Sequence, residues 1–268
     1  MTRLKVCIAG ATGWAGSALS WGVAATTDLE LVSAVSRSAA GGPVGAALGD
    51  QTLTAPVFAT AEEALDARPC DVFVEYTKPQ VAKANVLAAL RHGAYVVVGT
   101  SGLTDHDYAD IDVAARQAGR GVLACGNFAL TVVLLLKFAE AAAKHIPHWE
   151  IIDYASAGKR DAPSGTAREL ASRLGAVGEQ ELEVPIAETV GERAARGATL
   201  GGAQVHAVRL PGYRLGAEVV FGLPDQRLTI RHDAGASAEP YVDGALLAIR
   251  KVGALTGLHR GLDAVLEL

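Results

Sequence analysis

A doubly wound, parallel α/β sheet followed by a smaller α+β domain with a mixed sheet is the architecture that three observations predict. Between Leu4 and Ala124, short apolar runs alternate with helical patterns at the spacing of βα units. The first run breaks into Gly10-Ala11-Thr12-Gly13-Trp14-Ala15-Gly16, a glycine-rich turn between a strand and a helix. From Trp149 onward the periodicity changes to short strands separated by one helix and a polar, glycine-rich segment.

Leu4–Ala9 reads as a buried strand and Ser17–Ala24 as the helix after the turn. The spacing G-x-x-G-x-x-G displaces the middle glycine of the G-x-G-x-x-G dinucleotide fingerprint by one position. The physics is shared: a tight turn, close approach of backbone to a pyrophosphate, and a helix N-terminus facing the anion. The sheet is therefore expected to be Rossmann-type, with Gly10, Thr12, Gly13, Trp14, Ala15 and Gly16 as candidate cofactor-binding residues. Leu29–Val35 is the second strand. An acidic residue at its end would grip the ribose of NAD, whereas an Arg there accommodates the extra phosphate of NADP. The chain has Ser36-Arg37-Ser38 and no carboxylate. NADP(H) is the expected cofactor, with Arg37 as phosphate clamp and Ser36 as a hydrogen-bond partner. NAD(H) is the alternative, and Arg37 would then be an ordinary surface charge.

Ala40–Pro56 reads as a connection, followed by Val57-Phe58 and an acidic helix over Ala61–Ala67. Strands are expected at Asp71–Tyr76, Ala94–Val98 and Gly121–Ala124, with helices over Gln80–His92 and Asp105–Ala118. Ligands of such sheets lie beyond the carboxyl ends of the strands. Tyr76-Thr77 and Gly99-Thr100-Ser101 occupy those ends and are expected to line the nicotinamide side of a cleft. Gly126-Asn127-Phe128 then leads into an apolar helix, Leu130–Lys144. Further strands are expected at Trp149–Tyr154, Gln204–Arg209, Ala217–Gly222 and Gln226–His232, with Glu188–Gly202 as an irregular segment and Pro240–Leu255 as a final helix.

The strand ending at Tyr154 feeds a loop that carries Lys159 and then Pro163-Ser164-Gly165-Thr166, which opens a helix. Ser and Thr satisfy orphan donors at a helix start, the free amides carry partial positive charge, and Gly165 lets an anion approach. With Lys159 nearby, this is a carboxylate site; an ordinary capped helix with a solvated lysine is the competing reading. Asp161 is expected to cap or brace the turn. His92 ends a helix, where a cation is favourable, while His206 and His232 lie on strands.

Half of the residues are apolar and 20% are charged, with a net charge of -5. That balance gives no electrostatic bias toward nucleic acid or an anionic membrane. The three cysteines, Cys7, Cys70 and Cys125, lie far apart and suggest neither a disulfide framework nor a metal site. The apolar run at Leu4–Ala9 is too short for a signal peptide, no stretch is long and apolar enough to span a bilayer, and a cytoplasmic location is expected.

The chain resembles the dihydrodipicolinate reductase family over essentially its whole length. The matching pieces are the glycine turn, Tyr76-Thr77 with Pro79, Gly99-Thr100-Ser101-Gly102, Gly126-Asn127-Phe128 and, above all, Lys159-x-Asp161-Ala162-Pro163-Ser164-Gly165-Thr166-Ala167. The resemblance implies a dinucleotide-binding domain (residues 1–126 plus 239–268) and a substrate-binding and oligomerisation domain (residues 127–238), assembled as a homotetramer. It implies that Asn127 and Phe128 join the cofactor site. It also implies that Lys159, Ser164, Gly165 and Thr166 hold carboxylates of a small substrate while a nicotinamide delivers hydride.

Two departures stand out. The family reads Glu-x-His-His-x-x-Lys where this chain has Asp153-Tyr154-Ala155-Ser156-Ala157-Gly158-Lys159, so both histidines are replaced. Trp14 also stands where the family usually has a basic residue. Reducing a conjugated imine needs a proton as well as hydride, and a general acid contributes about a hundredfold to ten-thousandfold. Ala155 has no proton to give. The remaining candidates are Lys159, Tyr154, and Ser156 or a water that it holds. The expected function is an NADPH-preferring reductase of this type, acting on a small unsaturated carboxylated cyclic imine or enamine. A catalytically silent NADP(H)-binding sensor is the alternative.

Overall fold

The computed structural model describes residues 3–267. The chain begins with β1 (Leu4–Ala9), α1 (Trp14–Ala25), β2 (Leu29–Val35), α2 (Val44–Leu48), β3 (Val57–Phe58), α3 (Ala61–Ala67) and β4 (Val72–Glu75). It continues through α4 (Pro79–Arg91), β5 (Tyr95–Val98), α5 (Asp105–Ala118), β6 (Gly121–Ala124) and α6 (Leu130–Ala143). Then come β7 (His148–Ala155), α7 (Gly165–Val177), β8 (Ala198–Leu200), β9 (Ala203–Arg209), β10 (Leu215–Leu223) and β11 (Gln226–Ala234). The last elements are α8 (Val242–Lys251) and β12 (Gly257–Arg260).

Two compact units result, one made of residues up to Leu130 together with Ala238 onward, the other of Thr131–Ser237. The first holds a seven-stranded sheet in the order β12-β6-β5-β4-β1-β2-β3. All of its pairings are parallel. Strands buried on both faces are continuously apolar, and Val6, Cys7, Ile8, Phe73, Val74, Val96, Val97, Val122 and Leu123 are all buried. Val86, Leu90 and Ile111 from α4 and α5 pack against one side of this core.

The second unit holds a five-stranded mixed sheet in the order β11-β10-β7-β9-β8, in which β7 and β9 are parallel and the other pairs antiparallel. Here the period is two: Trp149, Ile151, Asp153 and Ala155 are buried while the residues between them are only partly so. Leu170 and Leu174 of α7 are buried as well, and the Trp149 and Phe221 rings lie 6.1 Å apart.

The expected fold class is the one observed, with local differences. α1 starts at Trp14 rather than Ser17, because the third glycine of the turn is already helical. The connection before Pro56 contains α2, a single short helix stopped by Gly49 at φ +74°. β8 and β12 were not expected. α8 is shorter than Pro240–Leu255, flanked by 3₁₀ turns at Glu239–Tyr241 and Val252–Ala254, where Pro240 and Gly253 disfavour regular helix. Among the described residues no helix is long and apolar enough to cross a membrane.

Candidate active site

In the first unit, Gly10 has φ +82°, and a methyl group on it would lie 2.3 Å from the Tyr76 carbonyl oxygen. A methyl on Gly16 would lie 2.1 Å from the Gly10 carbonyl oxygen. The turn, α1 and the end of β4 therefore touch backbone to backbone, which only glycine permits here. Gly13 is the N-cap of α1 and offers no side-chain cap, so the first helical amides are left for an anion. This cradle fits a dinucleotide pyrophosphate. The Thr12 and Ser36 hydroxyls lie 2.8 Å apart and tie the turn to the end of β2. Arg37 is exposed, with no side-chain partner among the described residues.

Beyond the strand ends opens a cleft of about 360 Å³. Trp14, Ala15, Tyr76, Thr77, Gly99, Thr100, Ser101, Asn127 and Phe128 line it, all residues singled out from the sequence. Tyr76 meets Phe128 edge-on at 5.8 Å, and burial pushes its phenol well above the usual range. Trp14 meets Tyr241 edge-on at 5.6 Å, and Tyr241 lines the cleft as well. Nothing in the local pattern around Tyr241 marks it for this role, because its place depends on the chain's return to the first unit.

Glu75, at the end of β4, is fully buried. Its Oε1 accepts from the Thr77 amide at 2.7 Å, from the Thr77 hydroxyl, and from the Thr100 hydroxyl at 3.2 Å. Its Oε2 accepts from Asn85 Nδ2 at 2.8 Å. Burial raises its pKa, and these bonds offset part of that effect. Sequence reading passed over Glu75; a carboxylate closing an otherwise apolar strand is the signal that marks it.

In the second unit, Ser164 is the N-cap of α7 and its Oγ accepts from the Ala167 amide at 3.3 Å. Gly165 is exposed, with open space where a side chain would stand, and Thr166 is half-buried. Lys159 Nζ lies 2.8 Å from Asp161 Oδ1. That bond holds the Asp161 carboxyl below its ordinary value. The expectation that Asp161 braces the turn is corrected, since its carboxylate is engaged with Lys159. Fully buried Asp153 does the bracing: its Oδ2 accepts from the Ser164 amide at 2.8 Å and from Arg209 Nη2 at 2.7 Å. Arg209 Nη2 also donates to the Asp161 carbonyl at 2.8 Å, so one guanidinium pins both ends of the loop. An acid at an inward position of β7 demands such a partner, although the sequence does not say which cation supplies it.

The three proton-donor candidates are differently placed. Ala155 is fully buried, and Ser156 follows it at the end of β7, its amide donating to the Arg214 carbonyl at 3.3 Å. Tyr154 lies on the opposite face of the strand from Asp153. Its hydroxyl donates to Glu218 Oε2 at 3.3 Å, its ring stacks under Arg231 at 4.5 Å, and burial followed by the Glu218 charge raises its pKa. The structure does not bring Tyr154 together with the Ser164 turn. His206 pairs with Glu150 at 2.9 Å, and buried His232 bonds Thr131 at 2.9 Å, with desolvation lowering its pKa.

Residues 4–128 match the family described as dihydrodipicolinate reductase, N-terminus, and residues 131–266 match its C-terminus. A 4-hydroxy-tetrahydrodipicolinate reductase of Thermosynechococcus vestitus is 37% identical over 271 residues, covering 99% of this chain and 98% of that protein. One from Halalkalibacterium halodurans is 36% identical, covering 98% of this chain and 100% of that protein. The structure of a dipicolinate-bound dihydrodipicolinate reductase from Paenisporosarcina sp. TG-14 superposes with a TM-score of 0.89 at 29% identity, over 99% of this chain and 100% of that one. An amine dehydrogenase from Mycobacterium smegmatis shares the fold alone, with a TM-score of 0.66 at 16% identity. By its cofactor cradle, its lysine-and-helix turn and these matches along both units, the chain belongs to the dihydrodipicolinate reductase family of NAD(P)H-dependent oxidoreductases.

Proposed function

We propose that this protein is an NADPH-preferring reductase acting on a small, unsaturated, carboxylated cyclic imine or enamine. The observation that carries the reading is the exposed start of α7, where Gly165 is open to approach and Lys159 stands nearby, in a chain that also keeps the glycine cradle. Reduced nicotinamide, when bound, supplies hydride. The amides of Trp14, Ala15 and Gly16 hold pyrophosphate, Arg37 with Ser36 grips the 2′-phosphate, and the Tyr76-Thr77 and Gly99-Thr100-Ser101 turns with Asn127 and Phe128 position the ring.

Lys159, Ser164, Gly165 and Thr166 fix the substrate carboxylates. A bound carboxylate competes with Asp161 for the Lys159 ammonium, so substrate entry frees Asp161. For the proton, Lys159 is the first choice and a water on Ser156 the second; Tyr154, with its hydroxyl committed to Glu218, is the third. An iminium substrate would need only hydride, which is why the loss of the histidine pair favours a relative with a different imine acid. The same reading makes the assembly a homotetramer.

The deciding experiment incubates purified protein with NADPH and enzymatically generated 4-hydroxy-tetrahydrodipicolinate, followed at 340 nm. A rate indistinguishable from background excludes that substrate, and a panel of cyclic imine acids then tests the broader reading. Comparing KM for NADPH and NADH tests Arg37, since a preference for NADH removes the clamp. Ala155 and Ser156 also support a second reading, a catalytically silent NADP(H)-binding sensor. It predicts tight dinucleotide binding with no turnover on any member of the panel.

A further inference from the structure

Thr77 and Thr100 both line the cleft, yet neither has its hydroxyl hydrogen to offer there. The Thr77 hydrogen is taken by the buried carboxylate oxygen Oε1 of Glu75, which also holds the Thr77 amide, and the Thr100 hydrogen is shared between that oxygen at 3.2 Å and the Glu75 backbone carbonyl at 3.3 Å. A hydroxyl has one donor hydrogen and two lone pairs. Once the hydrogen is committed, the oxygen can only accept. The commitment is firm because Glu75 is acceptor-only when ionised and fully buried, and its second oxygen is occupied by Asn85. The turn cannot easily swing away: the Tyr76 carbonyl abuts Gly10, and a methyl on Gly99 would lie 1.7 Å from the Tyr76 ring.

We propose that Glu75, which lies beneath the cleft and touches no ligand, is a positioning residue that makes Thr77 and Thr100 acceptor-only and so selects for an N–H donor at the ring end of the cofactor. The group on nicotinamide that meets this demand is the carboxamide –NH₂. This rests on the assignment of the cleft to the nicotinamide made above. A carboxamide orients the ring by this bond, whereas an acetyl group in its place presents only an oxygen and a methyl, leaving the threonine oxygens unpaired. Losing the donor leaves buried acceptors unsatisfied, which corresponds to about a tenfold to hundredfold loss in affinity.

The test is calorimetric titration of the unliganded protein with NADP⁺ and with its 3-acetylpyridine analogue, reporting the ratio of the two Kd values. Wild type is expected to bind the analogue at least tenfold more weakly. Glu75→Gln keeps a carbonyl oxygen for the Thr77 amide and hydroxyl and is expected to retain most of that ratio. Glu75→Met frees the Thr77 hydroxyl and leaves Thr100 only the backbone carbonyl of residue 75, and is expected to bring the ratio toward one. Should the Met variant fail to fold, the Thr77→Val/Thr100→Val double variant carries the same expectation. A merely structural role would weaken both ligands alike and leave the ratio intact. NADP⁺ binding with a ratio near one in wild type, or a ratio unmoved by the variants, overturns the role of Glu75 while leaving the cofactor site standing. No binding of NADP⁺ or NAD⁺ overturns both.

Discussion

Arg209 shows how much a single side chain can hold. It is the cation for fully buried Asp153 and clasps the Asp161 carbonyl, so the loop that presents Lys159 hangs from it. Breaking a buried pair by removing one partner costs about 3–5 kcal/mol. Arg209→Met should therefore lower the unfolding free energy measured in urea by that order and weaken binding of a small dicarboxylate. If Asp153→Asn combined with Arg209→Met is no more stable than Arg209→Met alone, the pairing is not the source of the loss. Glu75 gives a pH signature of its own. Its folded pKa lies above the unfolded value, so its contribution to stability is fully present below the unfolded pKa and is lost as pH rises through the folded one. Glu75→Gln abolishes this titration. The stability of the variant relative to wild type should rise with pH over that interval, and parallel midpoints from pH 4 to pH 8 would contradict it. Arg209 was not visible as functional in the sequence, since it acts only through partners on another strand and loop, and Glu75 was passed over because its hold on Asn85 and Thr100 joins separate segments of the chain. Lys159 and Ser164 were visible because their partners lie within a few residues.

The start of α7 serves two purposes that substitutions can separate. Ser164 caps the helix, and loss of a cap costs about 1 kcal/mol. Ser164→Ala should show that destabilisation. Ser164→Asp restores a good cap, and its carboxylate should repel an incoming acid, so stability recovers while dipicolinate binding falls at least tenfold. Equal binding by wild type and Ser164→Asp would remove this helix start from the substrate site. Elements of this kind were legible wherever a local rule sets them. Apolar runs gave the parallel strands β1, β2 and β6 to the residue, and the helical pattern over Asp105–Ala118 gave α5 with its observed bounds. β8 and β12 escaped because neither is a continuous apolar run, their pairing being supplied by β9 and β6 rather than marked by their own composition.

At the scale of the whole molecule, the two units carry separate sheets and separate cores. Chains of more than one domain often depart from two-state unfolding. Scanning calorimetry should resolve two transitions, and saturating NADP(H) should raise the one belonging to the unit with the glycine cradle. At a hundred times Kd the gain is about 2.7 kcal/mol. An unshifted trace in the presence of bound dinucleotide would place the ligand elsewhere. The fold class was readable because strand-helix alternation is periodic over long stretches, while the return of the chain to its first sheet obeys no local period. That return bears on biosynthesis. β12 pairs with β6 across more than a hundred intervening residues, so a ribosome must emit the entire second unit before the outer edge of β6 is covered. Until then the nascent first unit exposes a bare strand edge, the kind of surface that chaperones shield. Stalled chains ending before Gly257 should be cut by protease within the first unit while the second is already resistant.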